Sequence, residues 1–165
     1  MSQAALQALI FLPFVLPICV WVAWNDMKFM KIPNKAVLAL TAVFVVIGLI
    51  AVPITDYPIR LAQLGVVLAI GFVLNQLGLV GAGDAKFAAA MAPFIVLQDL
   101  GLFFILFALT LLAGFVTHRA FRRSAAWRTR TADWVSWTRS DFPMGLALGP
   151  ALGFYLLVVA SGAAP

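Results

Sequence analysis

Glutamate is absent from this 165-residue chain, whose six acidic residues are all aspartates. Charged residues make up 10% of the sequence and hydrophobic ones 64%. Soluble domains average about a quarter charged, so this composition excludes an ordinary water-soluble globule and implies an integral membrane protein. The lone cysteine, Cys19, lies inside an apolar run, which rules out an intrachain disulfide and a cysteine-based zinc site. The lone histidine, His118, stands beside Arg119 at the end of an apolar segment. Without clustered ligands it reads as a membrane-interface residue rather than a metal ligand. A formal net charge of +5 invites a nucleic-acid partner. The placement of the basic residues argues instead for lipid, since they sit between apolar segments as lipid-flanking residues do.

Six apolar runs can be read, over residues 4–24, 36–54, 61–80, 85–97, 100–116 and 144–160. A spanning helix needs about 20 residues, with roughly 17 tolerated. The 85–97 run is short, and as a helix it rises only about 20 Å. It must span obliquely, begin deeper in the membrane or draw on its flanks. The first run lacks a basic leader and a small-residue cleavage site, so it reads as a retained helix and not a signal peptide. The expected fold is all-α: one membrane domain over residues 1–165 with six transmembrane helices.

All of the 11 basic residues except Arg60 fall on alternate connections. Lys28, Lys31 and Lys35 follow the first run, and Lys86 accompanies the third-to-fourth connection. Arg119, Arg122, Arg123, Arg128, Arg130 and Arg139 follow the fifth. The excess of Lys and Arg in cytoplasmic loops then predicts both termini outside and a basic cytoplasmic loop at about 118–141. Within that loop Trp127, Trp134 and Trp137 would share one side of a helix, suiting it to the membrane interface or to docking a partner. Gly101, Gly114, Gly145, Gly149 and Gly153 are expected to permit close helix packing.

Parity allows two carboxylates to meet. Asp26 closes the first run and Asp84 opens the fourth, so both lie at the cytoplasmic boundary, where a carboxylate is expensive. Each has a plain explanation alone. Asp26 could be an interfacial charge offset by Lys28. Asp84 could be a helix N-cap, with Gly81 and Gly83 forming a tight turn. As a pair they suit acid–base chemistry, because two close carboxyl groups share one proton near neutral pH. The ionised one activates water while the protonated one polarises a carbonyl. Buried carboxylates also mark ion pathways, so a small proton- or cation-coupled transporter or channel is the alternative. A catalytically silent membrane scaffold is a third reading.

At these residues the chain resembles a known family. Gly81-Ala82-Gly83-Asp84 matches the GxGD signature of intramembrane aspartyl proteases. Asp26-Met27-Lys28 followed by Ile32-Pro33-Asn34 resembles the first-aspartate region of type IV prepilin peptidases, and Asp84-Ala85-Lys86 their acid-x-lysine. Phe142-Pro143-Met144-Gly145 looks like the Pro-aromatic-Gly start of the last helix in that family, with Met144 in place of the aromatic. The resemblance implies catalytic Asp26 and Asp84, supported by Gly81, Gly83, Lys86, Lys28, Pro33 and Asn34. It implies no metal and no organic cofactor. It further implies a bacterial inner-membrane endopeptidase that removes the short cytoplasmic leader of type IV or Flp-type prepilins, cutting after a glycine. The single cysteine and direct start in helix one resemble the short Tad/Flp form without the methyltransferase region. Pilin-like precursors and membrane lipid are the expected partners, and nucleic acid is not.

Overall fold

An apolar medium offers no water to backbone N–H and C=O groups, so a chain this greasy must satisfy them within its own helices. Among the described residues, 2–163 of the computed structural model, all regular structure is helical. The helices are α1 (Gln3–Phe29), α2 (Asn34–Ala51), α3 (Tyr57–Gln76), α4 (Ala82–Met91), α5 (Leu100–Arg123), α6 (Ala125–Arg130) and α7 (Gly145–Ala160). Four of them, α1, α2, α3 and α5, are long and apolar enough to cross a membrane. The chain is therefore built as a multi-pass membrane protein. The apolar α7, at 16 residues, is shorter.

The fourth run behaves as its length suggests. The helix starts at Ala82, ahead of the apolar stretch, and ends at Met91 after 10 residues, about 15 Å of rise. Pro93, which has no N–H to donate, follows within a 3₁₀ turn at Ala92–Phe94. A second such turn at Leu97–Asp99 leads into α5.

Successive helices alternate in direction. The end of α1, the start of α2, the start of α4 and the α5–α7 connection thus share one end of the bundle. Polar ties fasten the opposite end. Arg60 donates to Gln7 Oε1 at 3.1 Å, and the Tyr155 hydroxyl donates to Asp99 at 2.8 Å while accepting the Val96 N–H at 3.1 Å.

The α1–α7 pair is the spine. It is close because α7 presents glycine to α1: a Cβ on Gly149 would lie 2.6 Å from the Cys19 carbonyl oxygen, and one on Gly153 3.1 Å from Leu16 Cδ2. Gly114 faces Phe142 in the same way, at 3.3 Å. Gly101 does not fit the expected packing role, since nothing lies within 4 Å of its Cβ position. Phe11, Phe44 and Phe94 close the core between α1, α2 and the turn after α4, with Tyr57 stacked on Phe44 at 5.5 Å. Replacing Gly149 with Ala forces the α1 backbone away. We expect a loss of about 1–3 kcal/mol, the usual cost of overpacking a tight contact. Thermal unfolding in detergent measures it, and an unchanged melting temperature would show that the helices part freely.

The connection between α5 and α7 is not one helix. It breaks into α6, a turn and a 3₁₀ segment at Val135–Trp137. Trp127, Trp134 and Trp137 still gather, but from different elements, over an apolar groove beside α1 and α7. Trp24 of α1 meets Trp134 edge-on at 4.9 Å, and Trp134 stacks on Trp137 at 5.8 Å. His118 is buried within the protein. Its ring stacks on Trp137 at 5.1 Å and meets Phe142 edge-on at 5.9 Å.

Candidate active site

The last turn of α1 carries Asp26 into the protein, where it is only 5% exposed. A buried carboxylate must find donors, and this one finds a backbone. The Gly145 N–H, at the start of α7, donates to Asp26 Oδ2 at 2.7 Å across 119 positions of sequence. The first N–H groups of a helix have no partner within it and form its electropositive end, so α7 offers Asp26 both a bond and a favourable dipole. Only glycine permits this approach, since a Cβ at 145 would lie 2.9 Å from Asp26 Cβ and 3.1 Å from Oδ2.

Asp84 is the third residue of α4 rather than its N-cap, a position that belongs to Gly81. Its carboxylate turns back towards Gly81, where a Cβ would sit 2.5 Å from Asp84 Oδ2. A side chain at the third helical position reaching back to the N-cap backbone is half of a capping box. The other glycine of the motif, Gly83, lies against Ile32 at ordinary contact distance, 3.4 Å to Ile32 Cβ.

Asp26 and Asp84 line one cavity of about 710 Å³. Around them stand Lys31, Asn34, Lys86 and Arg139. Lys86 Nζ donates to Asn34 Oδ1 at 3.5 Å, joining the starts of α2 and α4 across the cavity wall. Pro33 is the N-cap of α2, with extended backbone, and sets the direction in which Asn34 leaves the turn.

Lys28 is not brought to the pair. It pairs with Asp133 of the α5–α7 connection at 2.8 Å, so Asp26 is not offset by it. The Lys28 ammonium, through this hydrogen bond, holds the exposed Asp133 carboxyl below the usual carboxylate range. Its place is in tying the connection down beside α1. The same connection supplies part of the cavity wall: Arg139 donates to Asp141 at 2.6 Å, both line the cavity, and Arg122 holds the Arg139 carbonyl at 3.2 Å. The Arg139 guanidinium likewise keeps the Asp141 carboxyl low. Neither Arg139 nor Asp141 carries a sequence signal. The role of Gly145 had one, the Pro-Met-Gly at the start of the last helix, but its partner lies far away in the chain.

The arrangement provides two neighbouring carboxylates, one anchored by a helix amide, in a cavity with polar walls at the end of an otherwise apolar bundle. Such a pair can hold and pass a proton. The family model described as the type IV leader peptidase family matches residues 13–117 of this chain. That segment takes in Asp26, Asp84, Lys86 and Asn34 and stops before Gly145. No curated protein and no solved structure matches.

Proposed function

The chain belongs to the type IV leader peptidase family, and from that premise we propose a membrane aspartyl endopeptidase that removes the short cytoplasmic leader of type IV or Flp-type prepilins. The observation that carries the proposal is the convergence of Asp26 and Asp84 on one cavity, with the Gly145 amide fixing the first. Family membership favours this reading over an ion-coupled transporter.

Two carboxyl groups at such a site share a proton. A water between them loses a proton to the ionised carboxylate as its oxygen attacks the scissile carbonyl carbon. The protonated carboxyl gives its proton to the carbonyl oxygen, and a neutral gem-diol results. The carboxyl that took the water proton then passes it to the leaving nitrogen. The C–N bond breaks, releasing a carboxylic acid and an amine, and the second carboxyl regains its proton from the collapsing diol. The pair returns to one shared proton, with no metal or organic cofactor needed. Gly145 keeps Asp26 in position. Lys86 and Asn34 hold the starts of α4 and α2 together, and Gly81 leaves room for the Asp84 carboxylate.

The purified protein in detergent should cut a small prepilin immediately after its leader glycine without added metal or nucleotide. Mass spectrometry of the products locates the cut. Several prepilins left intact by well-folded protein, with Asp84-dependent proton or cation flux in liposomes, would replace the protease by a transporter.

The proposed setting is the bacterial inner membrane, crossed six times, with both termini outside and the aspartates facing the cytoplasm. It rests on the gathering of Lys31, Lys86 and Arg139 at the aspartate end and on the excess of basic residues in cytoplasmic loops. In a Cys19→Ser background, Ser124→Cys should react with an impermeant thiol reagent only after the cells are opened. Thr55→Cys should react in intact cells. The reverse pattern would put the aspartates on the wrong side for a cytoplasmic leader.

A further inference from the structure

We infer that a small basic pocket at the aspartate end of α5 seats the phosphate of an anionic phospholipid. The pocket has a volume of about 240 Å³ and lies between the last turns of α5 and residues 140–142 of the α5–α7 connection. Arg119 and Arg122 line it from one helix face, three positions apart. Among the described residues the ion pairs are Lys28 with Asp133 and Arg139 with Asp141, so neither arginine has a carboxylate of its own. Each is nonetheless held in place. The Arg119 guanidinium lies 5.2 Å from the Phe115 ring centroid, within cation–π range. Arg122 spends Nη1 on the Arg139 carbonyl at 3.2 Å, which leaves the rest of its fork free for an oxyanion. The one carboxylate on the pocket wall, Asp141, is already engaged. Arg139 holds one of its oxygens at 2.6 Å, and the Ser140 hydroxyl donates to the other at 3.3 Å. Two placed guanidinium groups without counter-charges, at the end of a crossing helix, suit a lipid phosphate.

The helix itself favours a lipid over free phosphate. Phe115 and Leu112 stand four and seven positions before Arg119, on the same face of α5, and are 44% and 62% exposed. A headgroup at Arg119 would lay its acyl chains along this apolar stripe, on a helix long and apolar enough to cross a membrane. Free phosphate would leave the stripe unused. The pocket also stands back to back with the aspartate cavity, because Asp141 and Phe142 line both. Three residues after Phe142 comes Gly145, whose amide meets Asp26. A phosphate seated on Arg119 and Arg122 would brace the wall that leads to that amide. The site stands without the peptidase reading; only the effect of this bracing on turnover rests on it.

Native mass spectrometry tests the site on the detergent-purified protein titrated with dioleoyl phosphatidylglycerol. The protein should retain this lipid in preference to dioleoyl phosphatidylcholine. Arg119→Gln and Arg122→Gln should each weaken retention at least about tenfold, the scale of a hydrogen bond to a charged group. Arg128→Gln removes the same charge from α6, outside both cavities, and should bind as the unaltered protein does. Equal losses in all three variants, or equal retention of the two lipids, would mean diffuse attraction and overturn the site. Displacement of the lipid by inorganic phosphate at equal concentration would make the site one for free phosphate and overturn the lipid assignment. Prepilin cleavage is read separately on the same samples. Phosphatidylglycerol should raise it in the unaltered protein and in Arg128→Gln, and not in Arg119→Gln. Selective binding without that stimulation would overturn the bracing of the wall. Selective binding with no cleavage by any sample sinks the peptidase and leaves the lipid site, and cleavage without selective binding does the reverse.

Discussion

Asp26→Asn and Asp84→Asn should each lower prepilin cleavage by at least about 10²–10⁴-fold, the range general acid–base groups supply. An amide can neither accept the water proton nor return one. The substitutions are mild in every other respect. In the Asp26→Asn variant the side-chain amide keeps an oxygen able to accept the Gly145 N–H, the bond now seen at 2.7 Å, so α1 and α7 should stay docked. Removing a charge from a membrane boundary also seldom harms insertion. Asp56→Asn is the matched control. Asp56 lies at the opposite end of the bundle, where its carboxylate accepts from the neighbouring Thr55 hydroxyl at 3.2 Å. It should cleave near normally. Cleavage is measured at equal protein level, with melting temperature in detergent as the folding check. Full activity in either aspartate variant would remove that residue from the mechanism.

Gly145→Val should cost about 10²-fold in kcat, the scale on which an ångström of misplacement is felt. The first added carbon alone would stand 2.9 Å from Asp26 Cβ and 3.1 Å from Val22 Cγ1. The start of α7 must swing out, and the amide leaves Asp26. Gly145→Ala should fall between the two, since it adds the same Cβ without the branch. The readout that separates positioning from folding is the comparison with Gly149→Ala, which disturbs the same helix pair away from the carboxylate. Stability should fall in both, and turnover far more in the 145 variants. Equal turnover losses would mean that Gly145 serves only packing.

The apolar runs carried most of the fold. Their spacing marks the long helices of the bundle, and their parity places Asp26 and Asp84 at one end, where the cavity joins them. The weakness of the 85–97 run is likewise real, as α4 and its following turns show. Contacts set by the third dimension were out of reach. Lys28 is two residues from Asp26, and proximity in sequence suggested a pair, yet successive helical positions point about 100° apart and Lys28 found Asp133. The burial of His118 was also not legible, because it comes from the α5–α7 connection folding back to stack Trp137 on its ring. That connection has no long apolar period, so neither its broken path nor its contribution of Arg139 and Asp141 to the cavity could be read from spacing.

The bond from Gly145 to Asp26 also governs timing. Chains emerge N-terminus first, so both aspartates are synthesised long before the residue that holds one of them. Until α7 has inserted against α1, the nascent chain carries the two carboxylates without the amide that fixes Asp26. A chain cut short before α7 would carry Asp26 without the Gly145 amide. The last helix thus completes what the first one begins, since Asp26 gains its amide only once Gly145 is in place.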